Sequence, residues 1–301
     1  MIDVIFLGTS SQFPTKERNH SSIFFRLKKF KALLDCGEGT QRQMRILKLS
    51  PHHLNAVFIT HWHGDHALGL GGIIQSLGAS KREDALSIYG PKGTKERVEH
   101  LLKTYAFKPG FHIEVFEANE FDEELLLDFP DFQVYSFPLS HGVTGNGYYL
   151  VTKPLRRINV DYTKKFGLIK HPLLGDLQEG KDIVYKGKRI SAKNATYLDT
   201  IRKLAYISDT KYFDNLIEYA KNSDLLICEA TFSKKDEEKC KDYNHLSSAQ
   251  AAMIAKKSNS KQLIMTHISQ RYGNSKLLEE DAKKVFKNSL YAHDFMEYEI
   301  K

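Results

Sequence analysis

The stretch Phe58-Ile59-Thr60-His61-Trp62-His63-Gly64-Asp65-His66 constrains this chain more than any other. Four metal-capable side chains fall within six residues, directly after the apolar run Ala56-Val57-Phe58-Ile59. That run is short, β-branched or aromatic, and bounded by polar residues, so it reads as a buried strand. The cluster then sits in a loop at the strand's carboxyl end, where open α/β sheets place their ligands. His61 and His63 alternate around Trp62, so an extended backbone aims both imidazoles the same way. Gly64 is expected to allow the sharp turn that brings Asp65 and His66 back toward them. Imidazole with carboxylate, and no thiolate nearby, suits zinc or a similar divalent ion.

The run resembles the His-x-His-x-Asp-His signature of the metallo-β-lactamase superfamily. Residues matching that superfamily's other ligand positions follow in order, as Leu139-Ser140-His141-Gly142, Tyr206-Ile207-Ser208-Asp209-Thr210 and Met265-Thr266-His267. Each comes after an apolar, strand-like run. The resemblance implies that His61, His63 and His141 hold one zinc, that Asp65, His66 and His267 hold a second, and that Asp209 bridges them. Manganese or iron would suit the same donors.

Strand and helix signals alternate along the chain. Strands are expected at 3–8, 22–27, 31–35, 86–89, 113–116, 132–138, 147–151, 204–207, 225–228 and 262–265. Helices are expected at 41–49, 68–77, 94–105 (capped by Thr94), 212–220, 247–256 and 278–286. Residues 9–22 read as a loop too polar to pack. Two halves that each give strands and then helices suggest an α/β, four-layer αβ/βα sandwich of two mixed sheets inside outer helix layers. At 301 residues, 41% hydrophobic and 27% charged, the chain has the composition of a soluble globular protein. It shows neither a basic, apolar leader nor a run long enough to span a membrane, and a cytoplasmic location is expected. Cys36, Cys228 and Cys240 are too scattered for a Cys-x-x-Cys site and read as reduced thiols.

Net charge is +7. Between Lys153 and Lys193 stand eleven Lys or Arg against four acids, so the excess is concentrated in this block. It is rich in Gly, Lys and Pro and shows no clear amphipathic periodicity. We therefore read residues 153–193 as a projecting insertion in one 1–301 domain, with an electrostatic footprint for a polyanion such as nucleic acid.

Three further features are similar to the ribonuclease Z family, the tRNA 3′-processing endoribonucleases. Pro14-Thr15-Lys16-Glu17-Arg18-Asn19 matches that family's Pro-x-Lys-x-Arg-Asn loop. Glu229-Ala230-Thr231-Phe232 resembles its His-Glu-Ala-Thr motif, with Cys228 replacing the first His. His245-Leu246-Ser247 stands where the family has His-Ser-Thr. The resemblance covers essentially the whole chain. It implies a homodimer that cuts the 3′ trailer from pre-tRNA by water attack, with no membrane partner. Asp65 would activate the water, His245 would act as general acid and Glu229 would hold it. Pro14, Lys16, Arg18, Asn19 and Thr231 would contact substrate, and residues 153–193 would form a flexible arm that grips tRNA. The arm lacks the Gly-Pro dipeptide often found there. A superfamily hydrolase of a small phosphodiester or ester would leave the Pro14–Asn19 loop without a role. A noncatalytic RNA-binding protein with structural zinc would leave an open seven-residue ligand set without one. No role is assigned to His20, His52, His53, His100, His112, His171 or His293.

Overall fold

The computed structural model describes all of residues 1–301. Two seven-stranded mixed sheets account for most of the strands. The first runs, from edge to edge, Glu297–Ile300, Ile2–Gly8, Ser22–Leu27, Phe30–Leu34, Ala56–Phe58, Leu86–Gly90, Ile113–Glu117. The second runs Ser289–Tyr291, Leu263–Thr266, Leu225–Glu229, Lys203–Ile207, Thr144–Thr152, Phe132–Ser140, Glu124–Asp128. Helices flank both, giving the expected α/β sandwich.

The apolar run at Ala56–Phe58 is buried on both faces because each face has a partner. Val57 joins Leu33 and Ile88 in a cluster with the helix Leu70–Ala79. That helix buries Leu70, Ile73, Ile74 and Leu77, a spacing of three and four that lines one side. Phe58 faces the other way, its ring 5.3 Å from that of Tyr148 in the second sheet. The Tyr148 hydroxyl donates to the Ile59 carbonyl at 2.6 Å. One strand thus ties an outer helix layer to the opposite sheet.

Strands Phe30–Leu34, Ala56–Phe58, Leu86–Gly90 and Ile113–Glu117 run parallel, as do Lys203–Ile207, Leu225–Glu229, Leu263–Thr266 and Ser289–Tyr291. Their carboxyl ends deliver Asp35 and His61 from one sheet, and Asp209, Glu229 and His267 from the other.

Several expectations are corrected. Thr9, Ser10, His20 and Ser21 are buried, not solvated, because this polar loop pairs its backbone with Asn19 and Ile268. Gly64 has an ordinary φ and opens the short helix Gly64–Ala67, so helix onset makes the turn. Gly93, at φ 87°, is the N-cap of Thr94–Thr104. The final strand, Glu297–Ile300, closes on the first with Ile2 opposite Ile300.

Residues 128–133 and 151–202 form a second compact unit, wider than the 153–193 block. It has a small core of its own, made of Leu168, Leu177, Ile183, Ile190, Ala192 and Ala195. Its strands and helices are three to six residues long, too short for a periodic face to show in sequence. Ile183–Tyr185 and Lys188–Ile190 make a hairpin whose two turn residues, Lys186 and Gly187, both have positive φ, as a tight primed turn requires. Lys164, Lys165, Lys170, Lys186, Lys188 and Lys193 are exposed and make no ion pair. No helix in the chain is long and apolar enough to cross a membrane.

Candidate active site

His63 is extended (φ −70°, ψ 152°), which sets its ring 4.6 Å from that of His61. Trp62, between them, donates from Nε1 to Thr94 Oγ1 at 2.9 Å and so locks the loop to the helix Thr94–Thr104. Gly37 packs where an added Cβ would meet the Asp65 carbonyl at 2.3 Å, so only glycine lets the loop sit there. His61, His63 and His141 present ligand atoms within 4.8 Å of one another, and Asp65, His66 and His267 form a second such group. Asp209 Oδ2 lies 3.7, 3.5 and 3.6 Å from Nε2 of His61, His66 and His141, and Oδ1 lies 3.3 Å from His267. All seven sequence-derived ligand candidates therefore converge.

The outward nitrogens explain their aim. Nδ1 of His61 meets Thr60 Oγ1 at 3.1 Å, and Nδ1 of His66 meets Asp35 Oδ2 at 2.8 Å. Nδ1 of His141 meets the Asn244 carbonyl at 2.8 Å, and Nδ1 of His267 meets Thr231 Oγ1 at 2.9 Å. Such partners fix tautomer and ring orientation, leaving each Nε2 lone pair free for the cluster. His61 Nε2 then lies 3.0 Å from His63 Nδ1, and His66 Nε2 lies 3.2 Å from His267 Nε2. Ligand atoms about 2.0–2.1 Å from a tetrahedral zinc are about 3.3 Å apart, so the donor set fits divalent metal ions.

Electrostatics agree with that fit. Burial opposes charge on His66, yet Asp209, Asp35 and Asp65 together raise its pKa well above the ordinary value. A site that holds a proton against such burial attracts any cation. His61, where burial and then the neighbouring His66 dominate, is pushed well below its ordinary value. Burial works against the Asp65 carboxylate, but His66 and His267 hold its pKa far below the usual range.

Asp35 is a functional residue that sequence reasoning missed. Wholly buried, it accepts from Thr60 N (2.7 Å), Thr60 Oγ1 (2.9 Å), Tyr206 OH (2.9 Å) and His66 Nδ1. An acid ending an apolar strand at the ligand-bearing sheet edge was the available signal. Gln12 and Asn244 were also missed, because they act through backbone atoms. Gln12 N donates to Asp65 Oδ2 at 2.7 Å. Asp35 (φ 58°) and His267 (φ 64°) are non-glycine residues in the left-handed region, a local cost accepted at a site that needs those orientations.

Beside the cluster, His245 Nδ1 lies 3.0 Å from Glu229 Oε1 and 4.0 Å from Asp209 Oδ2. Burial opposes its charge, but Glu229 and then Asp209 raise the His245 pKa to about 9. Glu229 also accepts from Thr210 N, Leu246 N, Thr231 N and Thr231 Oγ1 at 2.8–3.2 Å. Leu246, the departure from His-Ser-Thr, thus contributes its backbone N–H. Burial, with Glu229 beside it, raises the Cys228 thiol well above its ordinary value, so it is no nucleophile.

Two expectations about substrate contacts change. Thr231 is buried, its hydroxyl spent on Glu229 and His267, which makes it a group that orients the site. The Pro14–Asn19 loop divides in two. Arg18 Nη1 donates to Thr9 Oγ1 and the Ala292 carbonyl, both at 2.7 Å, and Asn19 Nδ2 donates to the Glu38 carbonyl at 2.5 Å. Those side chains anchor the loop, whereas Pro14 and Lys16 are exposed.

Two stacked mixed sheets with a His/Asp cluster at their carboxyl ends define a protein of the metallo-β-lactamase fold. Two family models match, "Anti-Pycsar protein Apyc1" over residues 2–152 and "Beta-lactamase superfamily domain" over residues 193–268. The chain is 38% identical to the ribonuclease Z of Methanothermobacter thermautotrophicus over 100% of this chain and 97% of that one. It is also 38% identical to that of Picosynechococcus sp., over 99% and 96%. Human tRNase Z, short form, superposes with a TM-score of 0.71 at 26% identity over 99% of each chain. The chain belongs to the ribonuclease Z family.

Proposed function

We propose that this chain removes the 3′ trailer from pre-tRNA by water attack on the phosphodiester, leaving a 3′-hydroxyl on the tRNA and a 5′-phosphate on the trailer. The observation that carries this reading is a carboxylate-backed imidazole, His245 on Glu229, beside a seven-residue His/Asp cluster. His61, His63 and His141 would hold one divalent ion and Asp65, His66 and His267 another, with Asp209 between them. Two zinc ions are the expected load, with manganese or iron as alternatives. When bound, such ions bring the pKa of water toward neutrality and offset charge building on phosphorus.

The chain's own groups supply the rest. Asp65, held at Oδ2 by the Gln12 N–H, orients the attacking water and takes its proton. His245 keeps Nδ1 on Glu229, so Nε2 is the nitrogen that delivers a proton to the leaving 3′-oxygen. Exposed Pro14 and Lys16 meet the acceptor end. The unpaired lysines of residues 153–193 meet phosphates along the tRNA duplex, recognising A-form shape without reading bases. This reading takes the enzyme to be a cytoplasmic homodimer in which one subunit's arm presents tRNA to its partner's site.

Incubation with a pre-tRNA carrying a 3′ trailer, with and without chelator, tests it. Expected is one chelator-sensitive cut that yields the stated ends. Binding without cleavage would leave a noncatalytic RNA-binding protein, and hydrolysis of a small diester alone would leave a small-molecule hydrolase.

A further inference from the structure

Outside residues 153–193 the chain's charges balance in number but not in space. The helix Thr40–Ile46 leaves the active-site edge just after Gly37, which packs on Asp65, and leads the chain back to the opposite edge, where Ala56–Phe58 begins. Two adjoining clefts lie along that return. One, of about 680 Å³, is lined by Gln41, Arg45, Lys48 and His52 among others. The next, of about 510 Å³, shares His52 and adds Lys29, Lys31 and Arg82. Asp84 is the one carboxylate lining either.

Arg82 makes this more than a scatter of surface lysines. It is 3% exposed, and its guanidinium donates to the carbonyls of Asp84, His52 and Ala85 at 2.6–2.7 Å. Its guanidinium holds those three carbonyls rather than a carboxylate, so a buried positive charge stands at the base of the cleft, with Asp84 the neighbouring opposite charge. Arg45 and Lys48 are exposed along one limb and Lys29 at the far end. A row of cations along one side of a phosphodiester-cleaving enzyme matches a phosphate backbone in sign.

We propose that this track binds the backbone of single-stranded RNA and carries the 3′ trailer beyond the scissile bond. The trailer assignment rests on the nuclease reading above; the RNA contact itself does not. The test is binding, by fluorescence anisotropy in chelator, of pre-tRNAs with a long trailer and with a one-nucleotide trailer. For the unaltered protein the long trailer should tighten binding. In a Lys29→Glu, Arg45→Glu, Lys48→Glu protein that gain should fall about tenfold, and the salt slope for the long substrate should drop by about two, at about 0.7 per lost single-strand contact. Its melting temperature and its turnover of a small chromogenic diester should stay unchanged. If the charge reversals impair folding, the matching Gln substitutions give the same readout. A trailer-dependent gain and salt slope equal to those of the unaltered protein overturn the proposal. Because cleavage is blocked in this assay, binding is read independently of it, and a protein that binds the trailer through the track yet cuts nothing once metal is supplied would refute the nuclease reading alone.

Discussion

The polar side chains at the carboxyl ends of the strands are buried and held from behind, whereas the lysines of residues 151–202 stand in water around a core of six small or medium apolar residues. In the first region nearly every charge has a dedicated second partner, as with His66 on Asp35 or His245 on Glu229. In the second, ion pairs such as Lys181 with Glu179 are exposed and contribute little, and six lysines make none. On the function proposed above, the contrast separates two ways of handling a phosphate. Chemistry at one atom demands groups fixed before the substrate arrives, while holding a long polyanion demands only enough charge along its path.

Removing the carboxylate shared by both halves of the cluster tests the first way most severely. Asp209→Ala should lower bound metal and bring cleavage of both pre-tRNA and a chromogenic diester to background; full activity with full metal content would mean the seven residues do not act as one site. His245→Ala should slow pre-tRNA cleavage by about 10²–10⁴-fold with metal content unchanged. Loss of metal by elemental analysis would move His245 into the ligand shell instead. A smaller effect is expected one step further out. Asp35→Asn, which leaves His66 without its carboxylate, should weaken metal affinity by about 10–100-fold in a chelator competition, and no change there would deny Asp35 any part in aiming the ring.

The gentlest test falls on the second region. Leu177→Ala empties part of the small core and should cost about 2–5 kcal/mol locally. Proteolysis should then cut faster within residues 151–202, and KM for pre-tRNA should rise severalfold while diester turnover holds. A fall in diester turnover as well would end the contrast drawn above.

Much of the first region was legible because its signal is local. Four ligand candidates within six residues after an apolar strand showed in the pattern itself, and the resemblance to the superfamily supplied the three at later strand ends. What was not legible depends on distant partners. Asp35 looked like an ordinary strand terminus until Thr60, His66 and Tyr206 closed around it. Thr231 sat in a motif and read as a substrate contact, yet burial turned its hydroxyl inward. The Arg18 and Asn19 side chains read as substrate contacts, but carbonyls of Ala292 and Glu38 engage them. In residues 151–202 the elements span only one to two periods of either pattern, so their core was invisible beneath the charge.

The saturation of Glu229 also bears on turnover. Five donors hold its two oxygens, from the backbone of Thr210, Leu246 and Thr231, the Thr231 hydroxyl and the His245 ring. With that carboxylate immobile, the imidazole it grips has no reason to swing between one catalytic round and the next. The His245 side chain is 12% exposed, so in the proposed mechanism a proton given to the departing strand would be replaced from bulk water. On that reading the acid would be rearmed without any part of the fold having to move.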